Sequence, residues 1–199
     1  MLKVDTLVLG TYQTNCYIIR EESSKTCCVI DPGYFPEVIL RKLEDLGLTL
    51  EAVLLTHGHF DHVGAVRELA AETDCDVYIC EGDLSMPPVF TAGPLYYTHT
   101  YGEGSELSLA GLSIRVLETP GHTPGSVCLM TEDAIFSGDT LFEGDCGRTD
   151  LPGGNWLQMQ NSLKRLGLLE GDYRIYPGHD VSTTLAHERK YNTSLKGAL

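Results

Sequence analysis

The sequence predicts an α/β domain that spans residues 1–199. Short β-rich segments alternate with amphipathic helical segments, and this alternation is typical of domains in which helices cover sheets. The length suits one compact unit with its own hydrophobic core. No internal repeat, low-complexity tract or linker divides the chain. We therefore expect a single α/β domain.

Local signals define the first strands and the first helix. Strands are predicted at residues 2–9, 15–20 and 27–30. The third strand stops at the turn Asp31-Pro32-Gly33. Pro36 then opens a helix, because its fixed φ suits the first helical turn, and Gly47 is the expected C-cap. The apolar face of this helix is formed by Val38, Ile39, Leu43 and Leu46.

A strand at 52–55, a helix at 62–73 and a strand at 77–80 continue the alternation. The helix is indicated by apolar residues at helical spacing, namely Val63, Val66, Leu69 and Ala70. Residues 82–104 then lose the pattern and are rich in Gly, Pro, Thr and Tyr. A loop of that length inside a compact domain is uncommon and is often functional. We expect it to be either a lid over a site or a surface insertion.

The second half begins with predicted strands at 106–109, 112–118, 126–130 and 134–137. A helix at 155–167, a strand at 173–176 and a helix near 183–191 complete the chain. The helix at 155–167 has an apolar stripe formed by Trp156, Met159, Leu163 and Leu166. The helical spacing predicts that this stripe faces the core and does not bind a cofactor.

Charge and hydropathy exclude several classes of protein. The chain has 28 acidic and 14 basic residues, for a net charge of −14. Proteins that bind nucleic acid need a basic face, so we expect no nucleic-acid partner. No apolar run approaches the length of a membrane span, and the first residues lack the basic start and apolar block of a signal peptide. The sequence therefore predicts a cytoplasmic protein without a membrane partner.

Seven cysteines are present, an odd number with no C-x-x-C pair. This pattern does not suggest a disulfide scaffold or a zinc knuckle. In a reducing compartment most cysteines are buried as small apolar residues. We expect this for the first six, which are Cys16, Cys27, Cys28, Cys75, Cys80 and Cys128.

The motif THGHFDH at 56–62 follows a predicted strand directly and contains three of the seven histidines. Imidazoles and carboxylates are ligands that Zn²⁺, Fe²⁺ and Mn²⁺ accept. His57 and His59 point to the same side if the turn is extended. Asp61 and His62 lie at the start of the next helix, displaced enough to serve a second ion. The motif therefore predicts metal binding.

Three more residues share this context, because each stands beside glycine where the chain leaves a strand. They are His122 in TPGHTPGS, Asp139 in FSGDTLF and His179 in YPGHD. Turns that follow strands can converge on one edge of a sheet, where glycine lets backbone and ligand come close. We expect these residues to join the same site. His99 and His187 lack the context and are expected to be surface or packing residues.

Together these motifs resemble the five-motif signature of the metallo-β-lactamase superfamily over essentially the whole chain. Within it, TNCYII, IDPG, GRTDLPGG and the tail TTLAHERKYNTSL are similar to the short, single-domain hydrolases of the glyoxalase II branch. The resemblance implies a four-layer αββα sandwich, the metallo-β-lactamase fold, with metals at one edge of its two sheets.

The resemblance also implies the roles of the ligands. His57, His59 and His122 would hold one divalent ion, Asp61, His62 and His179 a second, and Asp139 would bridge both. We expect Zn²⁺, with Fe or Mn as alternatives. A shared anion limits repulsion between two cations, and a metal-bridging hydroxide is the expected nucleophile. Asp61 is the expected catalytic side chain, because it would orient the bound water.

The implied activity is hydrolysis of a small-molecule thioester of the S-2-hydroxyacylglutathione type. Members of the branch with a helical C-terminal domain use it to bind glutathione. We expect no such domain here, so the thiol carrier stays open. Arg148 stands where the family places a basic residue that faces the substrate carboxylate. The alternative for Arg148 is a structural salt bridge with Asp150. Cys146, two residues earlier, is a second candidate for the pocket wall.

Two rival functions remain open. A persulfide dioxygenase looks similar across the histidine motif and the Cys-Gly-Arg-Thr-Asp stretch, but it uses one Fe²⁺ in a His-His-Asp site. A non-catalytic metal-binding scaffold or sensor would also show these ligands. A true β-lactamase is disfavoured because those enzymes are exported and lack an aspartate equivalent to Asp139. A nuclease is disfavoured by the absence of a basic face.

Overall fold

The computed structural model describes residues 1–91 and 93–199, and two six-stranded sheets form its centre. The first sheet consists, in spatial order, of β1 (Leu2–Leu9), β2 (Thr14–Glu21), β3 (Thr26–Ile30), β4 (Thr49–Leu54), β5 (Asp76–Cys80) and β6 (His99–Tyr101). The pairs β1–β2 and β2–β3 are antiparallel, and the pairs from β3 to β6 are parallel.

The second sheet is built from the other half of the chain. Its strands are β7 (Glu106–Leu109), β8 (Leu112–Glu118), β9 (Val127–Thr131), β10 (Ala134–Gly138), β11 (Arg174–Pro177) and β12 (Thr183–Thr184), and neighbouring numbers are neighbours in space. All pairs are antiparallel except β10–β11, which are parallel. A parallel pair needs a crossover, and the crossover between β10 and β11 contains a helix.

The described residues form six α-helices in addition to the two sheets. They are α1 (Pro36–Leu46), α2 (Phe60–Val63), α3 (Val66–Thr73), α4 (Trp156–Gly167), α5 (Leu185–Tyr191) and α6 (Thr193–Ala198). Among the described residues, no helix combines the length and the apolarity needed to cross a bilayer.

In the described part of the chain, three clusters of buried apolar residues fill the spaces between the layers. The middle cluster joins the inner faces of both sheets, with Ile19 and Leu54 from the first and Ile114 and Phe136 from the second. A second cluster packs α1 and α3 on the outer face of the first sheet. A third packs α4 and the C-terminal helices on the outer face of the second. The layer order is therefore αββα, and the predicted fold class is confirmed.

Several local predictions differ from the structure. The segment 82–104 is not wholly irregular, since β6 pairs with β5 and buries Tyr101 in the core, while residue 92 lies outside the described residues. The helix predicted at 62–73 is two helices. The break falls at Gly64, where a Cβ would lie 2.3 Å from the carbonyl oxygen of Gly33. Sequence spacing does not reveal this close approach of two backbone segments.

The predictions for two apolar helix faces and for the start of the last predicted helix were also partly wrong. Trp156 is 49% exposed and Val38 is 39% exposed, whereas Met159, Leu163 and Leu166 are buried as expected. Helical spacing identifies a face but not how far the sheet extends beneath it. The helix near 183–191 begins only at Leu185, because Thr183 and Thr184 pair with β11. All seven cysteines are free thiols, and the first six are buried as predicted.

Candidate metal centre

The predicted ligands converge on one edge of the two sheets. The histidine motif follows β4, and the turns that carry the other ligands follow β8, β10 and β11. These strands belong to both sheets, so the site lies where the sheets meet. Strands that end at a common edge deliver their following turns to one place, and this accounts for the convergence.

Among the described residues, three groups of three side chains have the spacing of metal ligands. Two of them consist of predicted ligands alone, and the third combines Asp31 with His57 and His62. In the first, ligand atoms of His57, His59 and His122 lie within 4.8 Å of one another. His59 Nδ1 is 2.9 Å from His122 Nε2. All three side chains are buried, so any ion held there is shielded from bulk water.

The second group contains Asp61, His62 and His179. Asp61 Oδ2 is 3.3 Å from His179 Nε2 and 3.7 Å from His62 Nε2. Asp139 lies between the groups, since its carboxylate oxygens are 3.4 Å from His122 Nε2, 3.5 Å from His62 Nε2 and 3.6 Å from His179 Nε2. The structure therefore brings all seven predicted ligands together, with Asp139 in contact with both groups.

A buried carboxylate outside the ligand set orients two of the histidines. Asp31 accepts hydrogen bonds from the Thr56 backbone and hydroxyl at 2.8 and 2.6 Å, and from His62 Nδ1 at 3.0 Å. Because the Thr56 hydroxyl donates to Asp31, it accepts from His57 Nδ1, 3.1 Å away. Both rings then carry their proton on Nδ1, and the lone pair of Nε2 faces the cluster.

Backbone carbonyls orient two further histidines. His122 Nδ1 donates to the carbonyl of Arg148 at 2.8 Å, and His179 Nδ1 donates to the carbonyl of Tyr12 at 3.0 Å. Their Nε2 lone pairs also face the cluster. Fixing the outer nitrogen of a ligand histidine sets both its tautomer and its ring angle.

Divalent metal ions fit this donor set. Among the described residues, the buried side-chain atoms without a hydrogen-bond partner include His57 Nε2, His59 Nε2 and Asp139 Oδ1, all in this cluster. Unpartnered buried polar atoms are costly unless an ion or a ligand satisfies them. Imidazole nitrogens with carboxylate oxygens suit Zn, Fe and Mn, so the chemistry of the donors does not select one metal.

The electrostatics favour cation binding. Burial, aided by the neighbouring imidazoles, lowers the pKa of His57 well below its usual value and that of His59 to about 4. Burial opposes protonation of His62, but Asp139 and Asp31 raise its pKa to about 9. Despite burial, the hydrogen bond with His179 and the charge of His62 hold the pKa of Asp61 well below its usual range. The rings of His57 and His59 are thus neutral, whereas the carboxylates around His62 favour a positive charge at the second ligand group.

Two glycines allow the backbone to press against Asp139. A Cβ on Gly178 would lie 2.2 Å from Asp139 Oδ1, and a Cβ on Gly147 would lie 1.8 Å from the Asp139 carbonyl oxygen. Neither position accommodates a side chain unless the Asp139 turn moves. The glycines next to His179 and Arg148 in the sequence therefore have a steric role in the site.

Asp83 connects the two loops that carry the first ligand group. Its carboxylate is fully buried and accepts hydrogen bonds from the Gly58 and Gly125 nitrogens at 2.7 and 2.6 Å and from the Thr123 hydroxyl at 2.9 Å. Gly58 lies between two of the ligand histidines. Burial raises the pKa of Asp83. The sequence offered no signal for this residue, because it follows β5 in a segment without a motif.

A third buried carboxylate outside the ligand set fixes the chain after Asp139. Glu188 accepts hydrogen bonds from the Gly144 nitrogen, the Thr183 hydroxyl and Asn192 Nδ2 at 2.8, 2.6 and 2.8 Å. Asn192 also donates to the carbonyls of Phe142 and Asp145, at 3.3 and 2.9 Å. Both side chains are fully buried. The C-terminal helices therefore anchor the loop that leads from Asp139 towards Arg148.

A cavity of about 570 Å³ opens over the cluster. Its wall includes five of the predicted ligands and Arg148. Aromatic and aliphatic side chains form much of the rest, namely Tyr12, Phe60, Phe90, Phe142 and Leu151. The sequence did not single out these residues. Phe90 belongs to the 82–104 segment, and its carbonyl accepts a hydrogen bond from the Phe60 nitrogen at 2.8 Å.

The structure shows the salt bridge that was the alternative for Arg148. Its guanidinium forms a two-point ion pair with Asp150, at 2.7 and 2.8 Å, and Arg148 is also one of the residues that line the cavity. Cys146 is not among the residues that line the cavity. It is half-buried against the third apolar cluster, and burial raises the pKa of its thiol. His99 and His187 are exposed and pack on tyrosines, as expected.

Comparison with known proteins identifies the family. The sequence profile of the metallo-β-lactamase superfamily matches residues 9–179. The chain is 31% identical to hydroxyacylglutathione hydrolase GloC of Haemophilus influenzae over 98% of each chain. It is 33% identical to the probable metallo-hydrolase YqgX of Bacillus subtilis, over 98% of this chain and 99% of that protein.

Solved structures give the same assignment. The B3 metallo-β-lactamase BLEG-1 superposes with a TM-score of 0.89 at 32% identity, over 99% of this chain and all of that one. TTHA1623, solved in a di-iron-bound form, gives 0.85 at 37% identity over 96% and 99%. ETHE1 from Myxococcus xanthus gives 0.83 at 30% identity over 98% and 85%. The chain belongs to the metallo-β-lactamase superfamily and is a metal-dependent hydrolase of that superfamily.

Proposed function

We propose that this member of the metallo-β-lactamase superfamily is a binuclear thioesterase. Its substrate would be a thioester of the S-2-hydroxyacylglutathione type, which the glyoxalase II branch hydrolyses. The overall reaction consumes water and yields a carboxylic acid and a free thiol. We propose two divalent ions, Zn²⁺ in the first instance, with Fe or Mn as alternatives.

The observation that supports two ions is the second ligand group. Asp61, His62 and His179 have their donor atoms 3.3–3.7 Å apart, and Asp139 contacts both groups. In the proposed assignment, His57, His59 and His122 hold one ion. Asp61, His62 and His179 hold the other, and Asp139 holds both. The similarity to GloC along 98% of each chain supports the choice of thioesters.

Several residues of the chain have roles in the proposed thioester hydrolysis. Bound divalent ions supply a Lewis acid for the scissile carbonyl and lower the pKa of water towards neutrality. Asp61 is ionised at neutral pH and lies at the cavity wall, so its carboxylate can accept a hydrogen bond from the attacking water. The thiolate of a thioester is a good leaving group, so no strong general acid is needed. Asp31 and Thr56 keep the imidazoles in the tautomer that this assignment requires.

Arg148 is the proposed contact for an anionic group of the substrate. Arg148 lines the cavity, where its positive charge would attract a carboxylate into a protein of net charge −14. The ion pair with Asp150 orients the guanidinium and partly neutralises it. We therefore expect Arg148 to contribute to the KM for anionic substrates more than to catalysis.

A mononuclear iron persulfide dioxygenase is the second candidate. The similarity to ETHE1, at a TM-score of 0.83 and 30% identity, favours it. In that alternative one Fe²⁺ would occupy a His-His-Asp site within the same cluster. The second ligand group would then hold no ion. A non-catalytic metal-binding scaffold is the alternative from another class.

Elemental analysis of the purified protein, paired with a thiol-release assay, tests the proposal. We expect two metal ions per chain and release of free thiol from S-lactoylglutathione. One iron per chain with oxygen uptake on glutathione persulfide would establish the dioxygenase instead. Two bound metals without turnover of any thioester or ester would favour the scaffold.

A further inference from the structure

The two ligand groups have different neighbours in the cavity wall. Beside the second group, the carbonyl of Tyr12 accepts the proton of His179, and the ring of Phe142 lies 6.3 Å from the His179 ring, edge to face. Beside the first group, the carbonyl of Arg148 accepts the proton of His122. We call the wall beside His179 the aromatic side and the wall beside His122 the Arg148 side.

The rings on the aromatic side come from separate segments of the chain, and contacts with neighbouring residues hold each ring in place. Tyr12, in the β1–β2 hairpin, packs edge to face on Phe60 with ring centroids 5.3 Å apart. Phe60 is bound through its backbone nitrogen to the carbonyl of Phe90. The carbonyl of Phe142 accepts a hydrogen bond from the buried Asn192. Each of these rings therefore has a fixed support, and all of them line the cavity that contains the metal ligands.

Charges on the cavity wall limit what else can bind. Of the described residues that line the cavity, Arg148 is the one with a permanent positive charge, and Asp150 already pairs with it. Asp180 adds a negative charge to the wall. An anionic group packed on the rings would lose hydration without gaining a cationic side chain as partner, whereas an apolar group would gain contact with the rings. The volume of about 570 Å³ leaves room for an aryl-sized group beside the scissile bond.

We infer that the substrate is amphipathic. It carries an uncharged, aryl-sized apolar group that packs on Tyr12, Phe60 and Phe142, and an anionic group on the Arg148 side. This inference rests on the proposed hydrolysis of thioesters. The apolar group belongs to the acyl part or to the thiol part of the thioester, and the experiment distinguishes these two sources.

Three thioesters test the inference by turnover. They are S-lactoylglutathione, S-mandeloylglutathione and the lactoyl thioester of 2-mercapto-3-phenylpropanoate. All three carry a carboxylate; the first has no phenyl ring, the second has one in the acyl part, and the third has one in the thiol part. We expect one phenyl-bearing compound to exceed S-lactoylglutathione about tenfold in kcat/KM. Phe142→Ala should reduce that advantage below about threefold. The matched control is Tyr191→Ala, which removes an exposed ring that does not line the cavity and should leave the advantage intact.

A binding measurement makes the test independent of turnover. Calorimetry on the purified metal-containing protein compares mandelate with lactate and benzyl mercaptan with ethanethiol. We expect about tenfold tighter binding of the phenyl-bearing member of one pair, and Phe142→Ala should abolish this preference. If no thioester is hydrolysed but the binding preference is present, the proposed function fails and the apolar subsite stands. If the phenyl ring brings no Phe142-dependent advantage in either measurement, the inference is overturned, whether or not thioesters are hydrolysed.

Discussion

The Oδ2 atom of Asp83 lies 2.7 Å from the backbone nitrogen of Gly58, the residue between His57 and His59. The same carboxylate accepts hydrogen bonds from Thr123 and Gly125, immediately after His122. One buried side chain thus ties together the two loops that supply the first ligand group. It touches no proposed ligand atom, so its expected effect on the metal site is through the positions of these loops.

Asp83→Asn should weaken metal binding without removing a ligand. The amide presents one acceptor and one donor where the structure requires acceptors at both oxygens, so a backbone N–H loses its partner. We expect a loss of about 1–3 kcal/mol of folding stability. Metal affinity, measured by competition with a chelator, should fall about 10- to 100-fold.

The matched control for Asp83 is Asp76→Asn, at a side chain that is 51% exposed. Asp76→Asn should change neither the folding stability nor the metal affinity. Should Asp83→Asn fail to fold, Asp83→Glu, which keeps the charge but lengthens the side chain, replaces it in the assay. Full metal affinity in a folded Asp83 variant would contradict the positioning role.

Asp139→Ala should lower metal content and activity together. Asp139 is the proposed bridge, and its loss leaves two cations without the anion that screens their repulsion. We expect fewer than two metal ions per chain by elemental analysis and at least a 100-fold loss of kcat. Asp133→Ala, which removes an exposed partner of Arg174, is the control. The bridging assignment is wrong if Asp139→Ala retains two ions per chain.

Arg148 and Asp150 should have opposite effects on anionic substrates. Arg148→Ala removes the cation and should raise the KM for a carboxylate-bearing thioester about two- to fivefold, a range suited to an exposed, screened charge. Asp150→Ala frees the guanidinium and should lower the same KM. Neither variant should change the KM for an uncharged thioester. Equal shifts with charged and uncharged substrates would refute a role for Arg148 in charge recognition.

Glu188→Ala should disturb substrate binding more than metal binding. The change leaves the Gly144 nitrogen and the Asn192 amide without their acceptor and loosens the loop that carries Phe142. We expect a rise in KM, a loss of about 1–3 kcal/mol of stability and an unchanged metal content.

Glu188→Gln is the matched control for this loop. Its carbonyl oxygen can accept from Gly144 and Asn192, and the Thr183 hydroxyl can reverse its role to accept from the new amide. Near-normal KM and stability are expected for Glu188→Gln. If Glu188→Ala lowers metal content as strongly as it raises KM, then the C-terminal anchor acts on the metal centre itself.

The sequence predicted the fold class and the convergence of the seven ligands, because both depend on local patterns. His57 and His59 follow an apolar strand, and the turns at His122, Asp139 and His179 carry their own glycines. The buried carboxylates that hold the ligands and loops of the site in place could not be predicted in this way. Asp31 reads as part of a turn, and Asp83 and Glu188 lie in segments without a motif, yet each accepts hydrogen bonds from residues far away in the sequence. Pairings of that kind exist only after folding.

Metal removal should destabilise the protein reversibly. Without cations, the buried atoms His57 Nε2 and Asp139 Oδ1 have no hydrogen-bond partner, and ionised carboxylates crowd the cluster. A ligand present at about 100 times its Kd raises the free energy of unfolding by about 2.7 kcal/mol. For a chain of this length, that free energy corresponds to a fall in Tm of about 5–10 °C on chelation. Differential scanning calorimetry before and after chelation measures the change, and adding back the metal should restore Tm and thioesterase activity together. A Tm that chelation leaves unchanged, with the metals shown to be gone, would mean that bound cations contribute nothing to folding at this site.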